Sequence, residues 1–227
     1  MASRIGEFFM IKENLLTAEK LKSNNTLSAE MMDFLIQCVK EGKNICICGT
    51  PGCGKTTIMN AITKCISDDK SVITIEHVPE LEISGNNVQK LTTKFDHNQM
   101  QLLEEGKKQK PDYIILDSES ECYKNLLLAM EKKETSYIFT AHAGTSRLLC
   151  DVRIPIFYSR DFFLMEEVSE KIAKELQIIV ETSVMSDGSR KVTSIVQVDG
   201  VSEDGKVNLE ELYKYDNSED KFVKCQN

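Results

Sequence analysis

Residues 49–57 read Gly-Thr-Pro-Gly-Cys-Gly-Lys-Thr-Thr, and this run constrains the fold more than any other part of the chain. Gly49, Gly54, Lys55 and Thr56 occupy the fixed positions of the pattern G-x-x-x-x-G-K-[ST]. The glycines let the backbone curl until successive N–H groups face phosphate oxygens. The lysine supplies positive charge to the terminal phosphates, and the hydroxyl after it is a ligand for Mg²⁺. The candidate nucleotide-binding residues are Gly49, Thr50, Pro51, Gly52, Cys53, Gly54, Lys55, Thr56 and Thr57.

The residues on either side of this loop fit a strand before it and a helix after it. Residues 44–48, Asn-Ile-Cys-Ile-Cys, form a short apolar run rich in strand-forming side chains. Ile58, Ile62 and Ile66 then recur at a spacing of four, which is helical. A strand, a glycine loop and a helix in this order aim the positive helix N-terminus at a phosphate group. The sequence therefore predicts a site for a nucleoside triphosphate.

The bulk composition is that of a soluble globular protein. The 227 residues are 41% hydrophobic and 28% charged, and they carry a net charge of −8, which disfavours nonspecific attraction to nucleic acid. Residues 1–12 lack the apolar segment of a signal peptide, and no apolar run approaches the length of a transmembrane span. The eight cysteines include no C-x-x-C pair, which favours buried, reduced thiols. We therefore expect a cytoplasmic protein without direct nucleic-acid binding, which reaches the cytoplasmic membrane only through partners.

Strands and helices alternate through the first two thirds of the chain. Strands are predicted at 44–48, 71–75, 112–116 and 137–140, with helices at about 28–42, 56–66, 97–107 and 121–131. This alternation predicts an α/β fold with a mostly parallel sheet covered by helices.

Beyond Thr145 the pattern changes to one typical of antiparallel strands. A helix is predicted near 164–175, followed by a hairpin whose strands, 177–184 and 190–198, flank the turn signal Asp187-Gly188. A last strand is predicted at about 206–213, and the polar final residues are predicted to be frayed.

Acidic residues and a histidine follow three of the predicted parallel strands. In an open parallel sheet, ligands bind beyond the carboxyl ends of the strands. Glu76 is a candidate for orienting the water that attacks a γ-phosphate. Asp117 ends a strand of four apolar residues, which is typical of a carboxylate that organises Mg²⁺ together with Thr56. His142 is a candidate sensor of the γ-phosphate or a link to a neighbouring subunit, although a lone histidine is more often structural.

Four ordered motifs resemble the type II/type IV secretion ATPases, and most of all those of conjugation and tight-adherence pilus assembly. They are the loop 49–57, Ile-Thr-Ile-Glu-His-Val-Pro-Glu-Leu at 73–81, Pro-Asp-Tyr-Ile-Ile-Leu-Asp at 111–117 and Thr-Ala-His-Ala-Gly-Thr-Ser at 140–146. Their order and spacing match the phosphate loop, Asp box, second acidic motif and His box of that family. The resemblance extends from about residue 4 to residue 215.

The resemblance implies a RecA-like P-loop NTPase core with a small antiparallel β hairpin region at the C-terminus. It divides the chain into residues 1–26, the remnant of a linker from an N-terminal domain that is missing; residues 27–175, the ATPase core; and residues 176–227, a β-rich extension and tail. It also implies Mg²⁺-dependent ATP hydrolysis, a homo-oligomeric ring of six subunits, and partners among inner-membrane secretion or pilus assembly proteins.

The resemblance also implies roles for individual residues. Lys55 holds the phosphates, Glu76 matches the catalytic glutamate, and His142 reports the γ-phosphate state. The second acidic motif departs from the usual Gly-Glu, because residues 117–120 read Asp-Ser-Glu-Ser. Asp117 is favoured for Mg²⁺ because it directly ends the strand, and Glu119 is the alternative as well as a candidate catalytic residue.

A transition state that gains negative charge needs an arginine, which we expect from an adjacent subunit. Arg147, Arg153 and Arg160 are the candidates within this chain.

Two other functions compete with a motor. The altered second acidic motif and the absent N-terminal domain would also suit a nucleotide-binding structural subunit with little turnover. A small kinase or a GTPase is less favoured, because the guanine-selecting Asn-Lys-x-Asp is absent and the chain has only five arginines for a kinase lid.

Overall fold

The computed structural model describes residues 18–83, 85–94, 98–117, 123–158 and 165–225. Nine strands lie within these ranges. They are β1 (Ile45–Gly49), β2 (Val72–Glu76), β3 (Val88–Thr92), β4 (Tyr113–Leu116), β5 (Ser136–Ala141), β6 (Ile178–Val184), β7 (Arg190–Val201), β8 (Val207–Asp216) and β9 (Lys221–Lys224).

Helices occupy much of the chain between these strands. They are α1 (Ala18–Ser23), α2 (Ala29–Lys40), α3 (Lys55–Thr63), α4 (Gln99–Lys108), α5 (Tyr123–Met130), α6 (Ser146–Leu148), a π-helical segment (Leu149–Arg153), α7 (Ile154–Tyr158) and α8 (Met165–Glu175). The side chain of Ser28 accepts a hydrogen bond from the N–H of Met31, which caps α2 where the sequence predicts a helix start.

The nine strands form one sheet with the spatial order β3-β2-β4-β5-β1-β6-β7-β8-β9. The first six strands in that order are parallel, with Ile45 of β1 opposite Ile138 of β5 on one side and Ile178 of β6 on the other. All residues of β1, β2 and β4 are buried, as strands covered by helices on both faces must be. The predicted α/β fold with a mostly parallel sheet is confirmed.

Alternate side chains of each parallel strand pack into two cores on opposite faces of the sheet. Cys46 and Cys48 contribute to the core formed with α4, α5 and α8. Ile45 and Ile47 contribute to the core formed with α1, α2 and α3. This follows from the two-residue period of a strand, which sends neighbouring side chains to opposite faces.

The C-terminal strands continue this sheet. β6 is parallel to β1, whereas β6, β7, β8 and β9 pair with one another in an antiparallel manner. The turn between β6 and β7 contains Asp187 and Gly188, and the Gly188 N–H donates to the carbonyl of Met185 at 2.9 Å. The predicted hairpin is therefore confirmed.

Two edge strands, β3 and β9, were not predicted from the sequence, and the prediction of a frayed C-terminus was wrong. β3 carries polar residues and is only partly buried, so it lacks the apolar signal of an interior strand. β9 pairs with β8, and the ring of Phe222 lies 5.1 Å from that of Tyr215 between centroids. This aromatic contact, which joins residues of two adjacent strands, helps to hold the polar tail in the sheet.

Residues 1–17 of the predicted linker lie outside the described residues. Residues 18–26 contain α1, whose Leu21 is only 1% exposed and packs into the core with α2. In the part of the chain that the structure describes, no helix has the length and apolar character needed to span a membrane.

Candidate functional site

Two glycines give the phosphate loop its shape. Gly54 has φ of 98°, in the left-handed region that favours glycine. A Cβ on Gly49 would collide with Sγ of Cys53 and with the carbonyl oxygen of Thr182, so no larger side chain fits there. α3 begins at Lys55, directly after the loop, and its dipole therefore places partial positive charge beside the loop.

The ammonium of Lys55 lies against the loop that it is predicted to serve. Its Nζ donates to the carbonyl oxygens of Gly49 at 3.2 Å and Thr50 at 3.0 Å, and the residue is only 7% exposed. These two neutral acceptors hold the charge close to the loop, and a phosphate oxygen would be a stronger acceptor for it. The geometry fits the predicted phosphate-binding role.

Asp117 connects three elements of the site. Its Oδ2 accepts a hydrogen bond from the Thr56 hydroxyl at 3.2 Å, and its Oδ1 accepts one from the Thr140 hydroxyl at 2.6 Å. The Gln99 amide donates to its backbone carbonyl at 2.5 Å. A hydroxyl and a carboxylate side by side are hard oxygen ligands of the kind that Mg²⁺ prefers, so Thr56 and Asp117 fit this ion.

Glu76 lies at the end of β2 and is only 1% exposed. Its Oε1 accepts hydrogen bonds from the N–H groups of Glu80 at 2.7 Å and Leu81 at 2.6 Å. The pKa of Glu76 is raised above its ordinary value, and burial is the main cause. The charge of Asp117 also raises this pKa, whereas the two N–H groups lower it. The Glu76 carboxylate therefore holds the loop at Glu80 and Leu81 against the end of β2 and interacts electrostatically with Asp117.

His142 directly follows β5 and is half-buried at the carboxyl edge of the parallel strands. Two of the candidate arginines lie farther along the same segment. Arg147 donates to Asp151 at 3.3 Å and to the Val207 carbonyl at 2.8 Å, and the Arg153 guanidinium lies 5.5 Å from the centroid of the Phe157 ring.

Two of the predicted residues, Glu119 and Arg160, lie outside the described residues. Apart from Arg147 and Arg153, the remaining candidates occupy the loop 49–57 or lie at the ends of β2, β4 and β5. The contacts Thr56–Asp117 and Asp117–Thr140 join three of these places directly.

Several residues that the fold brings to the site were not predicted from the sequence. Thr140 is a buried hydroxyl near the end of an apolar strand, and this exception to the pattern is a signal that could have identified it. The loop is also contacted by Thr182 of β6 and Arg190 of β7. The Cys53 thiol and the Thr182 hydroxyl lie 2.9 Å apart, and Nε–H of Arg190 donates to the Gly52 carbonyl at 2.8 Å. No local sequence signal marks these two contacts.

The cysteines of the described residues are free thiols. Cys46, Cys48 and Cys150 are buried, and burial raises the pKa of all three, to about 12 for Cys150. Because the thiolate is the reactive form, these cysteines are inert packing residues.

Taken together, the fold and the site define a P-loop nucleotide-binding protein of the RecA-like class. β5 lies between β1, which leads into the phosphate loop, and β4, which is followed by Asp117. A family model described as "Uncharacterised conserved protein UCP018868" matches residues 12–207, and the chain belongs to this family.

The resemblance to secretion ATPases is also confirmed. The type IV secretion system protein VirB11 of Bartonella quintana is 35% identical over 120 residues, which cover 50% of this chain and 32% of that protein. The structure of the VirB11 ATPase from the Brucella suis type IV secretion system in complex with sulphate matches with a TM-score of 0.67 at 24% identity. The match covers 74% of this chain and 52% of the VirB11 chain. The structure of the pilus retraction motor PilT with bound ADP matches with a TM-score of 0.59 at 19% identity. The match covers 81% of this chain and 51% of the PilT chain. Each match therefore spans from about a third to about half of the other protein.

Proposed function

We propose that this chain is an ATP-hydrolysing motor subunit that works in a hexameric ring and powers type IV secretion, conjugation or assembly of a related pilus. Its relatives carry names from these machines, VirB11 of a type IV secretion system and the pilus retraction motor PilT. The observation that carries the proposal is the contact between Thr56 and Asp117, because it joins the phosphate loop to an acidic strand end as ATP hydrolysis requires.

In this proposal the loop binds the phosphates and Lys55 neutralises their charge. On binding, the ammonium exchanges the carbonyls of Gly49 and Thr50 for phosphate oxygens. Thr56 and Asp117 would hold Mg²⁺, which supplies positive charge to the phosphate oxygens during transfer. Thr140 keeps the Asp117 carboxylate oriented through its hydrogen bond to Oδ1.

Glu76 has the role of orienting the attacking water. Its raised pKa brings the carboxylate nearer to the range in which a general base is effective. His142, which directly follows β5, reports whether the γ-phosphate is present. Because transition-state charge needs an arginine, a neighbouring subunit supplies one, with Arg147, Arg153 and Arg160 as the candidates.

The ring docks on inner-membrane secretion or pilus assembly proteins and works in the cytoplasm. This part of the proposal comes from the family resemblance and from the named relatives, whose length this chain matches only in part.

A second candidate function is a nucleotide-binding structural subunit with little turnover. The bonds from Glu80 and Leu81 favour it, because they already occupy one oxygen of the Glu76 carboxylate. In this case nucleotide binding would fix subunit contacts without a hydrolytic cycle.

The experiment that separates the two candidates measures ATPase activity, ATP affinity and oligomeric mass across a range of protein concentrations with Mg²⁺ present. The motor proposal expects turnover that rises together with the mass of a six-subunit ring. Tight ATP binding without turnover, at concentrations where rings form, would reject the motor and support the structural subunit.

A further inference from the structure

Arg190 is the first residue of β7, and it reaches the phosphate loop from the antiparallel half of the sheet. Its Nε–H donates to the carbonyl oxygen of Gly52 at 2.8 Å. Its Cδ lies 3.4 Å from the position that a Cβ on Gly54 would occupy, so the side chain packs along the loop. Arg190 is exposed, but it lies against the loop at both Gly52 and Gly54.

Two hydrogen bonds, one of them from Arg190, fix one peptide unit of the loop at both ends. The carbonyl of Gly52 is held by Arg190, and the N–H of Cys53 in the same peptide donates to the Thr50 carbonyl at 3.3 Å. The next residue is Gly54, which must adopt its left-handed conformation for α3 to start at Lys55. The orientation of this peptide therefore controls where the following N–H groups point.

The strand that carries Arg190 is itself anchored. Nζ of Lys191, a residue only 6% exposed, donates to the Asn25 carbonyl at 2.8 Å and lies 5.0 Å from the centroid of the Tyr215 ring. The N–H of Val192 donates to the Thr26 carbonyl at 2.8 Å. The turn after α1 and the strand β8 thus hold the backbone next to Arg190, which limits the positions that its guanidinium can adopt.

We propose that Arg190 is a positioning residue for the phosphate loop, which orients the Gly52–Cys53 peptide so that the loop binds the phosphates of nucleoside di- and triphosphates. The inference rests on the proposed nucleotide site. It also gives the antiparallel extension a role in nucleotide affinity, because a strand anchored at Asn25 and Thr26 sets the geometry of the loop.

The test compares Arg190→Ala, Arg190→Lys and the control Lys206→Ala in the full chain. Lys206 lies before β8 and pairs with Asp204 at 3.1 Å, away from the loop. Dissociation constants for ATP and for ADP are measured by calorimetry, together with kcat, KM and the melting temperature. Loss of one charge-assisted hydrogen bond should weaken binding of both nucleotides by about tenfold in Arg190→Ala.

Both nucleotides should be affected because the loop binds phosphates that they share, and KM should rise more than kcat falls. In Arg190→Lys the charge remains but the planar donor is lost, so binding should stay at least about threefold weaker than in the parent. Lys206→Ala should bind both nucleotides like the parent.

Four results would overturn the proposal for Arg190. They are parent-like affinity in Arg190→Ala, a lower melting temperature at unchanged affinity, a lower kcat alone, and full recovery of affinity in Arg190→Lys.

Failure of the Arg190 proposal can be distinguished from failure of the motor proposal. A parent chain that binds ATP without hydrolysing it would reject the motor, yet the two dissociation constants would still test Arg190. A parent chain that binds neither nucleotide would overturn both proposals.

Discussion

The parallel and antiparallel halves of the sheet bury their side chains in different ways. Every residue of β1, β2 and β4 is buried, whereas β8 buries only Val207 and Tyr213 of its ten residues. The parallel strands bring Glu76, Asp117 and the phosphate loop to one edge because their carboxyl ends all point the same way. Two later strands also reach the loop, β6 through Thr182 and the antiparallel strand β7 through Arg190. The candidate catalytic and phosphate-binding residues therefore lie in the parallel half, whereas a residue that positions the phosphate loop lies in the antiparallel half.

The sharpest division between the halves should appear in Lys55→Ala. Loss of the buried ammonium removes charge-assisted bonds to the phosphates, and ATP affinity should fall by about 1,000-fold. Calorimetric titration with ATP measures the effect, and Lys206→Ala in the antiparallel half should leave affinity unchanged. ATP binding at parent strength in Lys55→Ala would place the phosphate site elsewhere.

Glu76→Gln should separate binding from turnover within the parallel half. The amide keeps an oxygen acceptor for the N–H groups of Glu80 and Leu81, so ATP affinity should stay the same. Loss of the base should lower kcat by a few hundredfold, on the order of a general base's contribution. Steady-state hydrolysis assays check this expectation. Hydrolysis at the parent rate would assign water orientation elsewhere, with Glu119 as the next candidate.

Tyr213→Ala should affect stability and leave nucleotide binding unchanged. Tyr213 is 5% exposed, and its ring lies 5.5 Å from that of Phe34 between centroids. The cavity should lower the free energy of unfolding by about 3 kcal/mol, as for other buried aromatic truncations. Urea denaturation measures the loss, and Tyr213→Phe is the control because it keeps the ring. A large change in ATP affinity at temperatures where Tyr213→Ala is folded would contradict the division between the halves.

The smallest expected effect is a pH dependence of stability that comes from Glu76. Burial raises its pKa in the folded protein above the ordinary value of 4.5. The folded state therefore binds the proton more tightly, so the contribution of Glu76 is fully present below pH 4.5 and is lost as pH rises through the raised pKa.

The free energy of unfolding of the parent and of Glu76→Gln, measured from pH 4 upward, tests this sign. The parent should lose stability relative to the variant as pH rises. A difference that stays constant, or that changes in the opposite direction, would show that the pKa of Glu76 is not raised.

Most of the parallel half could be predicted from the sequence. Its strands are continuous apolar runs, and the residue that follows each run, such as Asp117 after Tyr113–Leu116, lies at the ligand edge whatever the details of packing. Thr140 was missed although it interrupts such a run, because a single hydroxyl in a strand is common where β-branched residues are favoured.

The two edge strands, β3 of the parallel half and β9 of the antiparallel half, were less predictable because their stability comes from pairing. β3 and β9 carry polar residues, so periodicity does not distinguish them from loops. Phe222 becomes part of the sheet only because Tyr215 lies opposite it on β8. Such cross-strand contacts depend on register, which no local pattern specifies here.

By itself, the sequence determined the phosphate loop, the α/β class and the acidic residues at the ends of β2 and β4. These features are encoded within short segments, where loop geometry and strand burial each require particular residue types. Only the tertiary structure decided that Thr140 supports Asp117 and that Arg190 holds the loop. Arg190 and Gly52 are 138 residues apart in the chain, and folding alone brings them to within 2.8 Å.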